Sequence, residues 1–523
     1  SEVPFEFFKD FQIKTGGYSA EFGRSTGGVI NSVSKTGTNE WQSTFSIIYN
    51  PNALASNSKD VYNSEGDLVV SNRYDEINQS ELNIQVGGPI IKDKLFIYVL
   101  LNPQWTDSTN YQADWTQTKS TNDAMFWGTS INWLINDKNR IDFTAFSDQA
   151  TIKNKISDWD PYENEIYSAA RPSENDVGGT SAILKYTANF TDNFSMSAMW
   201  GQAEFNNSES SNLDNNPVIY YTEDGANFIQ HGDWAVYQPG TSKDKRTAYR
   251  LDFDWFLGNH RLRFGLDSEI NKSNEQRNLS GGIDYDIYNY AVDPYVTVYH
   301  EYISGNFKTT ASAFYIEDTF SYGNTTTTFG LRNEKFENLN GSGGKFLDMD
   351  QQWAPRLGFA WDIGGDGSKK LYANLGRYYL PVANILNIRL AGAFYADNEN
   401  FEYLGQNPDG TPILGESSGL FIQFDGQEAD PNTIVNQNIK PMYQDEMILG
   451  YTFKINNLWT ADINAVYRDM GRAIEDSAPC QGLDKTAYDQ YGIEDYCFNI
   501  STPYVLTNPG SGMVFWHDFG QGD

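Results

Sequence analysis

Cysteine and histidine are the residue types best suited to bind a metal or act as nucleophiles, and this 523-residue chain has few of them. The four histidines lie far apart in the sequence, at His231, His260, His300 and His517. Cys480 and Cys497 do not have the spacing of a zinc or redox motif. We therefore expect no metal site and no cofactor. The two cysteines either form one disulfide that closes a loop or remain free thiols, and the sequence leaves both alternatives open.

Carboxylates are the commonest groups that could act as acids or bases, yet they form no catalytic pattern. The chain has 69 Asp and Glu against 37 Lys and Arg, giving a formal net charge of -32. Acids this frequent have no catalytic specificity unless a cleft perturbs them. We recognise no nucleophile elbow, no His-Glu-x-x-His helix and no Walker loop, and we predict that the protein is not an enzyme.

The charge balance also bears on the partners of the chain. Affinity for nucleic acid comes largely from clustered Lys and Arg, and no basic stripe occurs in the sequence. We therefore predict that nucleic acid is not a partner. An acidic surface is usually only a solvated one, although it can also collect divalent cations or cationic ligands.

Glycine is concentrated near the N-terminus, where residues 11–40 read FQIKTGGYSAEFGRSTGGVINSVSKTGTNE. Glycine permits positive φ and close backbone approach, so a compact, turn-rich unit is predicted, with short strands at 11–14 and 29–33. A phosphate-binding loop is the weaker interpretation, because no helix follows these glycines to offer its N-terminus.

From about residue 41 the sequence falls into segments of roughly ten residues in which apolar and polar side chains alternate. This alternation is typical of half-buried strands, and helical periodicity is nowhere sustained. The predicted strands span 41–50, 77–88, 94–105, 123–135, 139–150, 178–190, 193–206, 246–257, 260–272, 308–320, 325–337, 352–363, 369–380, 443–455 and 458–470.

The connections between these strands alternate between short and long. Short turns such as Asn136-Asp137-Lys138 and Gly258-Asn259 consist of turn-forming residues. The long connections span about 51–76, 106–122, 151–177, 207–245, 273–307, 338–351, 381–442 and 471 onward. An up-and-down barrel in an outer membrane requires this alternation, because one set of turns faces the periplasm and the other the outside. Aromatic residues at 15% and the lack of any long apolar run agree with such a barrel.

The two faces of the predicted strands differ in chemistry. In 246–257, alternate residues from Tyr249 to Leu257 are apolar, while Arg250, Asp252 and Asp254 share the other face. The strand at 260–272 repeats the pattern. We expect the apolar face to contact lipid and the charged face to line a wet or plugged lumen.

Three motifs resemble the TonB-dependent receptor family, in its Oar-like branch. The first is the end of a plug domain, matched at Gly16, Gly17, Tyr18, Glu21, Phe22, Gly23, Arg24, Gly27, Gly28 and Asn31. The second, residues 87–96, looks like a periplasmic turn of that branch, and the third, Tyr467 to Met470 with Ala473 to Asp476, looks like a late strand and its exit. The resemblance implies an all-β fold: the C-terminal end of a plug (1–40), then an incomplete antiparallel up-and-down transmembrane β-barrel (41–523) with long extracellular loops. We expect about 15 of 22 strands in this piece of the family's fold.

The resemblance also implies a function, namely uptake of an unidentified ligand across the outer membrane, energised through TonB. The expected partners are outer-membrane lipid and lipopolysaccharide, the TonB complex through an N-terminal region missing here, and an extracellular ligand. Glu21 and Arg24 are the candidates for contact between plug and wall, unless they form a local ion pair or are solvated turn charges. A surface adhesin or structural protein that does not transport is the alternative function.

The longest connection, 381–442, is the candidate ligand-contacting loop, because long structured loops are usually functional. Between residues 391 and 439 it has eight acidic residues and no Lys or Arg. Its aromatic residues could stack on sugars or pack against peptide side chains; they are Phe394, Tyr395, Phe401, Tyr403, Phe421 and Phe424. Alternatively, the acids keep the loop solvated and the aromatics fold it onto its neighbours.

Overall fold

A computed structural model describes residues 3–112, 115–223, 225, 228–290, 292–390, 393–494, 496–498, 504–514 and 517. The described residues form one sheet of 23 strands and three sheets of two strands each. Among them, no helix combines the length and the apolar character needed to span a membrane.

The strands in chain order are β1 Phe8–Lys14, β2 Val29–Ser34, β3 Gln42–Asn50, β4 Val61–Tyr62, β5 Leu68–Val70, β6 Glu76–Ile91, β7 Leu95–Tyr111, β8 Thr116–Asn136, β9 Asn139–Ser147, β10 Ala150–Asp160, β11 Glu165–Ile166, β12 Arg171–Gly178, β13 Thr180–Thr191, β14 Phe194–Ser210, β15 Val218–Thr222, β16 Ile229–His231, β17 Gly240–Leu257, β18 His260–Asn278, β19 Asp284–Tyr288, β20 Tyr295–Tyr322, β21 Thr325–Leu339, β22 Lys345–Asp362, β23 Lys369–Leu380, β24 Ala393–Gln406, β25 Pro412–Asp425, β26 Met442–Lys454, β27 Thr460–Arg472, β28 Glu475–Ser477 and β29 Val505–Thr507. The α-helices of the described residues are α1 Asn384–Leu390, α2 Pro431–Ile434 and α3 Cys480–Tyr491.

Fifteen strands form the wall of the barrel, as the alternation predicted: β3, β6, β7, β8, β9, β13, β14, β17, β18, β20, β21, β22, β23, β26 and β27. Each wall strand pairs antiparallel with the next one in this order, from β3 with β6 to β26 with β27. Nearly all side chains of the two terminal strands, β3 and β27, are exposed on both faces. The wall is therefore an incomplete barrel, in agreement with the predicted fold class.

The wall has an apolar outer face and a charged inner face, as predicted. On β18, Leu266 is 58% exposed, whereas the next residue, Asp267, is 8% exposed. Aromatic rings gather beside the short turns, where Phe194 lies 5.6 Å from Phe190 and 6.0 Å from Phe253, measured between ring centroids. Such a girdle is typical of the membrane interface of a β-barrel.

Several connections predicted as loops are strands instead. The predicted loop 106–122 is wrong over most of its length, because β7 extends to Tyr111 and β8 begins at Thr116. The predicted loops at 151–177 and 338–351 are likewise shortened by β10, β12, β21 and β22. Beyond the bilayer, strands need no apolar face to remain paired, so their sequences lose the alternation that identified them. The helix Cys480–Tyr491 was also missed, since its helical periodicity is weak.

The outer strands form what we call the extracellular layer, made of β15, β16, β19, the outer part of β20 (295–304), β24 and β25. β19 pairs in parallel with β15 and antiparallel with β20. β24 pairs with the outer part of β20 and with β25. The loop predicted at 381–442 is thus a short helix followed by a hairpin that continues the wall outward.

The N-terminal hairpin of β1 and β2 is tied to the short-turn end of the wall. The side chain of Asn39, which follows β2, donates a hydrogen bond to the Asp93 carboxylate at 2.6 Å and accepts one from the Asp93 backbone N–H at 2.8 Å. Asp93 lies in the turn between β6 and β7. This contact fixes where the chain passes from the hairpin to β3.

Candidate functional site

The inner face of the wall contacts the residues between β1 and β2. These two strands pair with Lys14 opposite Val29, and the chain between them leaves the hairpin. We call residues 15–28 the luminal segment. It contacts inward side chains from β17, β18, β20, β21, β22, β26 and β27.

Two wall carboxylates accept hydrogen bonds from the backbone of the luminal segment. Glu446 Oε1 accepts from the N–H of Gly17 at 2.8 Å, and Glu317 Oε2 accepts from the N–H of Ala20 at 2.6 Å. Both glutamates are more than nine-tenths buried. Hydrogen bonds to a buried charge are strong, and loss of one partner leaves the other without compensation.

Three wall arginines donate hydrogen bonds to backbone carbonyls of the same segment. The pairs are Arg468 with Thr15 (2.6 Å), Arg356 with Tyr18 (3.1 Å) and Ser19, and Arg332 with Ala20 and Glu21 (3.4 Å each). Arg332 is fully buried and Arg356 is 4% exposed. Wall side chains therefore accept hydrogen bonds from the backbone N–H groups of residues 15–21 and donate hydrogen bonds to their carbonyls.

The Glu21 side chain lies between two wall arginines. Its Oε2 is 2.7 Å from Arg250 Nη2, and its Oε1 is 2.5 Å from Arg263 Nη1. Each arginine also contacts a wall aspartate, Arg250 with Asp252 at 2.8 Å and Arg263 with Asp254 at 3.2 Å. Glu21 thus completes an ion-pair network across β17 and β18.

The Arg24 guanidinium enters a second, more deeply buried network. Its Nη2 is 3.0 Å from Asp267 and 3.5 Å from Glu269. Asp267 also contacts Arg332 Nη2 at 2.8 Å, and Arg332 Nε lies 2.8 Å from Glu334. The structure therefore places both Glu21 and Arg24 against the wall. Buried ion pairs of this kind are costly to break by removal of one member.

Glycine is required where the luminal segment approaches these charges. A Cβ added at Gly16 would lie 2.8 Å from the Glu446 carboxylate oxygens, and one at Gly23 would overlap the Arg332–Glu334 pair. Gly17 has a φ of +61°, which favours glycine. The glycine spacing predicted a close backbone approach, and the structure shows that the backbone approaches buried charged side chains of the wall.

The aromatic residues of the luminal segment pack against wall side chains. The Tyr18 ring lies 4.8 Å from the Tyr378 ring, and Arg250 lies 5.8 Å from the centre of the Phe22 ring. The remaining motif residues do not contact the wall charges in the same way. Asn31 pairs with Gln12 in the hairpin, and the Gly28 carbonyl accepts a hydrogen bond from Ser25 Oγ at 2.6 Å. A Cβ at Gly27 would meet no atom within 4 Å.

A cavity of about 650 Å³ lies on the outer side of Arg24. The inner faces of β17, β18 and β20 line it together with α1, which supplies Asn384, Ile385 and Ile388. The helix is held by Asn387, whose side chain accepts a hydrogen bond from Asn338 at 2.8 Å. The luminal segment and α1 thus both line this cavity. A ligand in the cavity would contact the luminal segment and α1.

The six aromatics predicted to contact ligand do not share one surface. Phe401 and Tyr403 pack against the buried cluster of Ile219, Ile287, Val296 and Val298 and are themselves half-buried. Phe394 lies 4.8 Å from Phe424, and Tyr395 stacks on Tyr302 at 5.1 Å. Phe421 is 36% exposed. Most of these rings therefore join the hairpin to its neighbours, which was the alternative left open by the sequence.

Cys480 and Cys497 are joined in a disulfide. It links the first residue of α3 to the short turn at Tyr496–Phe498. Leu483, Ala487 and Tyr496 pack around it. Of the two alternatives left open by the sequence, the structure contains the disulfide, and among the described residues no cysteine is free.

The wall half of this contact was missed by sequence reasoning. Arg332, Arg356, Glu317 and Glu446 each occupy an inward position of a predicted strand, but nothing in the sequence indicates which inward charges face the segment. One signal was available. A large cation in the middle of a membrane strand is costly unless it is paired, so Arg332 and Arg356 marked a polar structure inside the barrel.

The family model and the protein relative that match this chain are both TonB-dependent outer-membrane proteins. The family model for the TonB dependent receptor-like β-barrel matches residues 111–510. The TonB-dependent transporter Oar of Myxococcus xanthus is 23% identical to this chain over 642 aligned residues, covering 98% of this chain and 57% of that protein. The chain therefore spans a little over half the length of this relative.

Solved structures of outer-membrane proteins share the fold, and two of them illustrate the likeness. The outer membrane transporter YddB from Escherichia coli has a TM-score of 0.57 at 15% identity, covering 96% of this chain and 59% of that one. The ferric enterobactin receptor of Pseudomonas aeruginosa has a TM-score of 0.53 at 14% identity, covering 91% and 59% of the two chains. At these identities the likeness concerns the fold.

Proposed function

This chain belongs to the TonB-dependent receptor family, and we propose that it forms the luminal segment and most of the wall of an outer-membrane transporter. In this proposal, residues 1–40 are the end of a plug domain and residues 41–523 are the barrel. The transporter takes up an external ligand and is energised through TonB. Its location is the outer membrane, as for the family.

The observation that carries the proposal is the polar contact between the luminal segment and the wall. A seal that never opened would be most stable with an apolar interface, because burying charge gains little net stability. Here the interface consists of ion pairs and charge-assisted hydrogen bonds around Gly17, Ala20, Glu21 and Arg24. Water can replace such partners as the segment leaves, so a polar seal can be opened and closed again.

The opening step requires work from outside the barrel. Several buried hydrogen bonds and two ion-pair networks hold residues 15–24, and they must break together if the segment moves as a unit. Thermal motion alone rarely breaks so many contacts at once. A pulling force applied to the chain N-terminal to the segment would break them in sequence, which is the role we assign to TonB.

The remaining partners are assigned by position. The apolar outer face contacts the lipid of the outer membrane, and we place lipopolysaccharide around the strand ends on the outer side. The external ligand contacts the cavity between Arg24 and α1, and the hairpin of β24 and β25 borders its approach. Nucleic acid has no role in this proposal.

We also propose that the protein acts by binding and transport, not by catalysis. Residues Gly415 to Gly419 match the pattern Gly-x-Ser-x-Gly, but they lie within the extended hairpin strand β25. A nucleophile elbow needs a sharp turn from strand to helix. Ser417 Oγ donates its hydrogen bond to Glu399, a half-buried residue of the neighbouring strand β24.

A disulfide lock tests the transport proposal. A Cβ added at Gly330 would lie 3.0 Å from the Ala20 Cβ, closer than in most disulfides, so a shift of about 0.5 Å would let the pair Ala20→Cys and Gly330→Cys cross-link the luminal segment to β21. Cells expressing the intact protein would be given a defined mixture of ferric siderophores, maltodextrins and oligopeptides. We expect one of these classes to accumulate in the periplasm, and we expect accumulation to stop in the locked variant and with a proton uncoupler.

Controls separate the lock from other effects. Gly330→Cys alone measures the effect of crowding at this position, and a reductant should restore transport in the locked variant to the level of Gly330→Cys. Accumulation that persists in both the locked variant and uncoupled cells would contradict the proposal and favour a passive pore or a surface protein.

A further inference from the structure

The extracellular layer has one apolar face and one face of carboxylates and tyrosines. On β15, β19 and β20, the residues Ile219, Ile287, Val296 and Val298 share the apolar face, which packs against Phe401 and Tyr403. Asp284 and Asp286 of β19 alternate with these residues and therefore point to the other face. Across the strands, Tyr220 lies beside Asp286 and Tyr299 lies beside Asp284.

A pocket of about 370 Å³ opens on this second face. It is lined by Tyr220, Phe228, Tyr237, Asp284 and Asp286. Phe228 and Tyr237 are each 40% exposed, whereas Asp284 is 3% exposed. The two exposed rings therefore form the rim of the pocket, and the Asp284 carboxylate lies at its base.

The Asp284 carboxylate is incompletely satisfied. Its Oδ2 accepts a hydrogen bond from the Tyr237 hydroxyl at 2.9 Å, but its Oδ1 is buried and has no hydrogen-bond partner among the described residues. Buried carboxylate oxygens are almost always paired in folded proteins, because an unpaired one is costly. This oxygen lines an open pocket, where a ligand could supply the missing donor.

The charges around the pocket are negative. Asp286 lies two residues along the same strand, and Glu301 of β20 is close enough for its negative charge to repel that of Asp284. The three chain segments that build the layer, 211–242, 278–307 and 390–439, contain sixteen Asp and Glu and no Lys or Arg. The layer thus offers carboxylates without side-chain ammonium or guanidinium partners of its own.

Burial and these neighbours change the acidity of the pair. Burial raises the pKa of Asp284 to about 7, with Asp286 and Glu301 adding to the effect, and burial raises the pKa of Asp286 to about 6. A cation in the pocket would stabilise the ionised carboxylates and release protons from them.

Aromatic rings continue the walls on both sides. The Tyr220 ring lies 5.4 Å from Trp234, and the Phe228 ring lies 5.4 Å from Tyr288, which stacks on Tyr295 at 4.4 Å. The faces of aromatic rings attract organic cations, and the attraction is larger in a partly desolvated site. The described residues contain no cluster of three or more His, Cys, Asp or Glu suited to a metal ion. An organic cation fits this combination better than a metal.

We propose that the pocket between Tyr220, Phe228, Tyr237, Asp284 and Asp286 binds an organic ammonium group, either a small amine or a lysyl side chain of a peptide. The ammonium donates to the free Oδ1 of Asp284 and lies between the rings of Tyr220 and Phe228. The pocket volume of about 370 Å³ holds such a head group and a short stem. This site is distinct from the luminal contact, and binding at it does not depend on transport.

The test uses the intact protein purified in detergent, with binding followed by calorimetry. The probes are 1,5-diaminopentane and the tripeptide acetyl-Gly-Lys-Gly-amide. Their uncharged counterparts are 1-pentanol and the same tripeptide with norleucine in place of lysine. We expect at least one of the charged probes to bind, with binding about tenfold or more tighter than that of its uncharged counterpart.

Variants locate the binding. Asp284→Asn keeps the shape of the side chain and should weaken binding by about tenfold or more. The matched control is Asp293→Asn, an exposed aspartate of the same connection, and it should bind like the parent protein. Asp286→Asn is a second variant of the same pocket, for use if Asp284→Asn alters folding. It should also weaken binding of the charged probes.

The outcomes separate the possible ligands. Binding of both charged probes indicates recognition of the ammonium itself, whereas binding of the tripeptide alone assigns the site to lysyl side chains. Equal binding of the charged and uncharged probes would overturn the proposal. So would binding of maltose in place of the amines, or amine binding that is unchanged in both Asp284→Asn and Asp286→Asn.

Discussion

The luminal contact and the extracellular layer both contain buried carboxylates, but these carboxylates have different partners in the two regions. Inside the barrel, the carboxylates of Asp267 and Glu334 lie 2.8 Å from Arg332. In the extracellular layer, the hydrogen-bond partner that the described residues offer to Asp284 is a tyrosine hydroxyl. The segments of that layer have no Lys or Arg to offer.

The difference shows where charge is already neutralised and where it remains available. The luminal carboxylates are occupied in holding residues 15–24, so they contribute to closure. The carboxylates of the outer layer have no internal cation, so they are free to meet one from outside. Breaking a luminal pair should therefore loosen the segment, and removing an outer carboxylate should leave the closure unchanged.

The largest expected effect comes from Arg332→Met, which leaves Asp267 and Glu334 buried without their shared cation. Removal of one partner from a buried network typically costs about 3–5 kcal/mol. Labelling of a Thr26→Cys reporter along a urea series would measure the free energy that holds the luminal segment. Arg261→Met is the control, because Arg261 is 43% exposed and pairs with Asp254 at 2.9 Å. It should change this free energy by less than about 1 kcal/mol, and an equal loss in both variants would contradict the account.

A second effect concerns the outer face of the wall. Leu266→Arg places a charge on the lipid-facing side of β18 and should cost about 2–4 kcal/mol of folding free energy in lipid vesicles. Leu404→Arg is closely matched, since Leu404 is 57% exposed against 58% for Leu266, but it lies in the extracellular hairpin. It should fold like the parent protein. Similar tolerance at both positions would mean that Leu266 does not face lipid.

Glu21→Gln should have a smaller effect than Arg332→Met. Arg250 and Arg263 each keep a wall aspartate, so the variant loses two contacts without leaving either arginine unpaired. We expect a loss of about 1–3 kcal/mol in the same urea assay, the usual range for hydrogen bonds to charged groups. Glu204→Gln, at a 45% exposed glutamate paired with Lys245, serves as the control and should have almost no effect. A loss as large as that of Arg332→Met would show that Glu21 holds more of the network than its geometry indicates.

The most local expected effect is a pH dependence confined to the extracellular layer. The pKa of Asp284 is raised to about 7 in the folded protein, against about 3.9 for an unfolded chain, so the folded layer retains a proton that the unfolded chain releases. The stability from this proton is complete below about pH 4 and is lost as pH rises to about 7. Hydrogen-exchange protection factors of β19 should fall by nearly a hundredfold between pH 5 and pH 8. In Asp284→Asn this fall should be reduced, and an unchanged fall would assign the proton to another group.

The sequence predicted the wall well because the membrane imposes a simple rule on it. Each wall strand must present an apolar residue to lipid at every second position, and this alternation located all fifteen strands. Outside the membrane the rule no longer applies, so β10, β12, β24 and β25 lack the alternation and were predicted as loops. Pairing between backbones keeps these strands extended even though their side chains are polar.

The site was predicted in part, because only one half of it has a distinctive sequence. Glycine spacing marked the luminal segment, and Glu21 and Arg24 are its charged side chains. Their partners, Asp267 and Arg263, are ordinary charged residues of the inner face, and only the register of β18 against the segment selects them. The sequence could not decide between the two roles left open for Phe401 and Tyr403, since an exposed loop and a packed hairpin have the same aromatic composition.

The most direct test of the account is whether the luminal segment closes the barrel. Lys14 and Val29 are register partners, so residues 15–28 can be replaced by Asn-Gly, a tight turn that preserves the hairpin of β1 and β2. Single-channel conductance in planar bilayers would compare this variant of the intact protein with its parent. We expect a closed parent protein and a large, steady conductance in the variant. Equal conductance in the two proteins would show that the segment does not seal the lumen and would contradict the central claim.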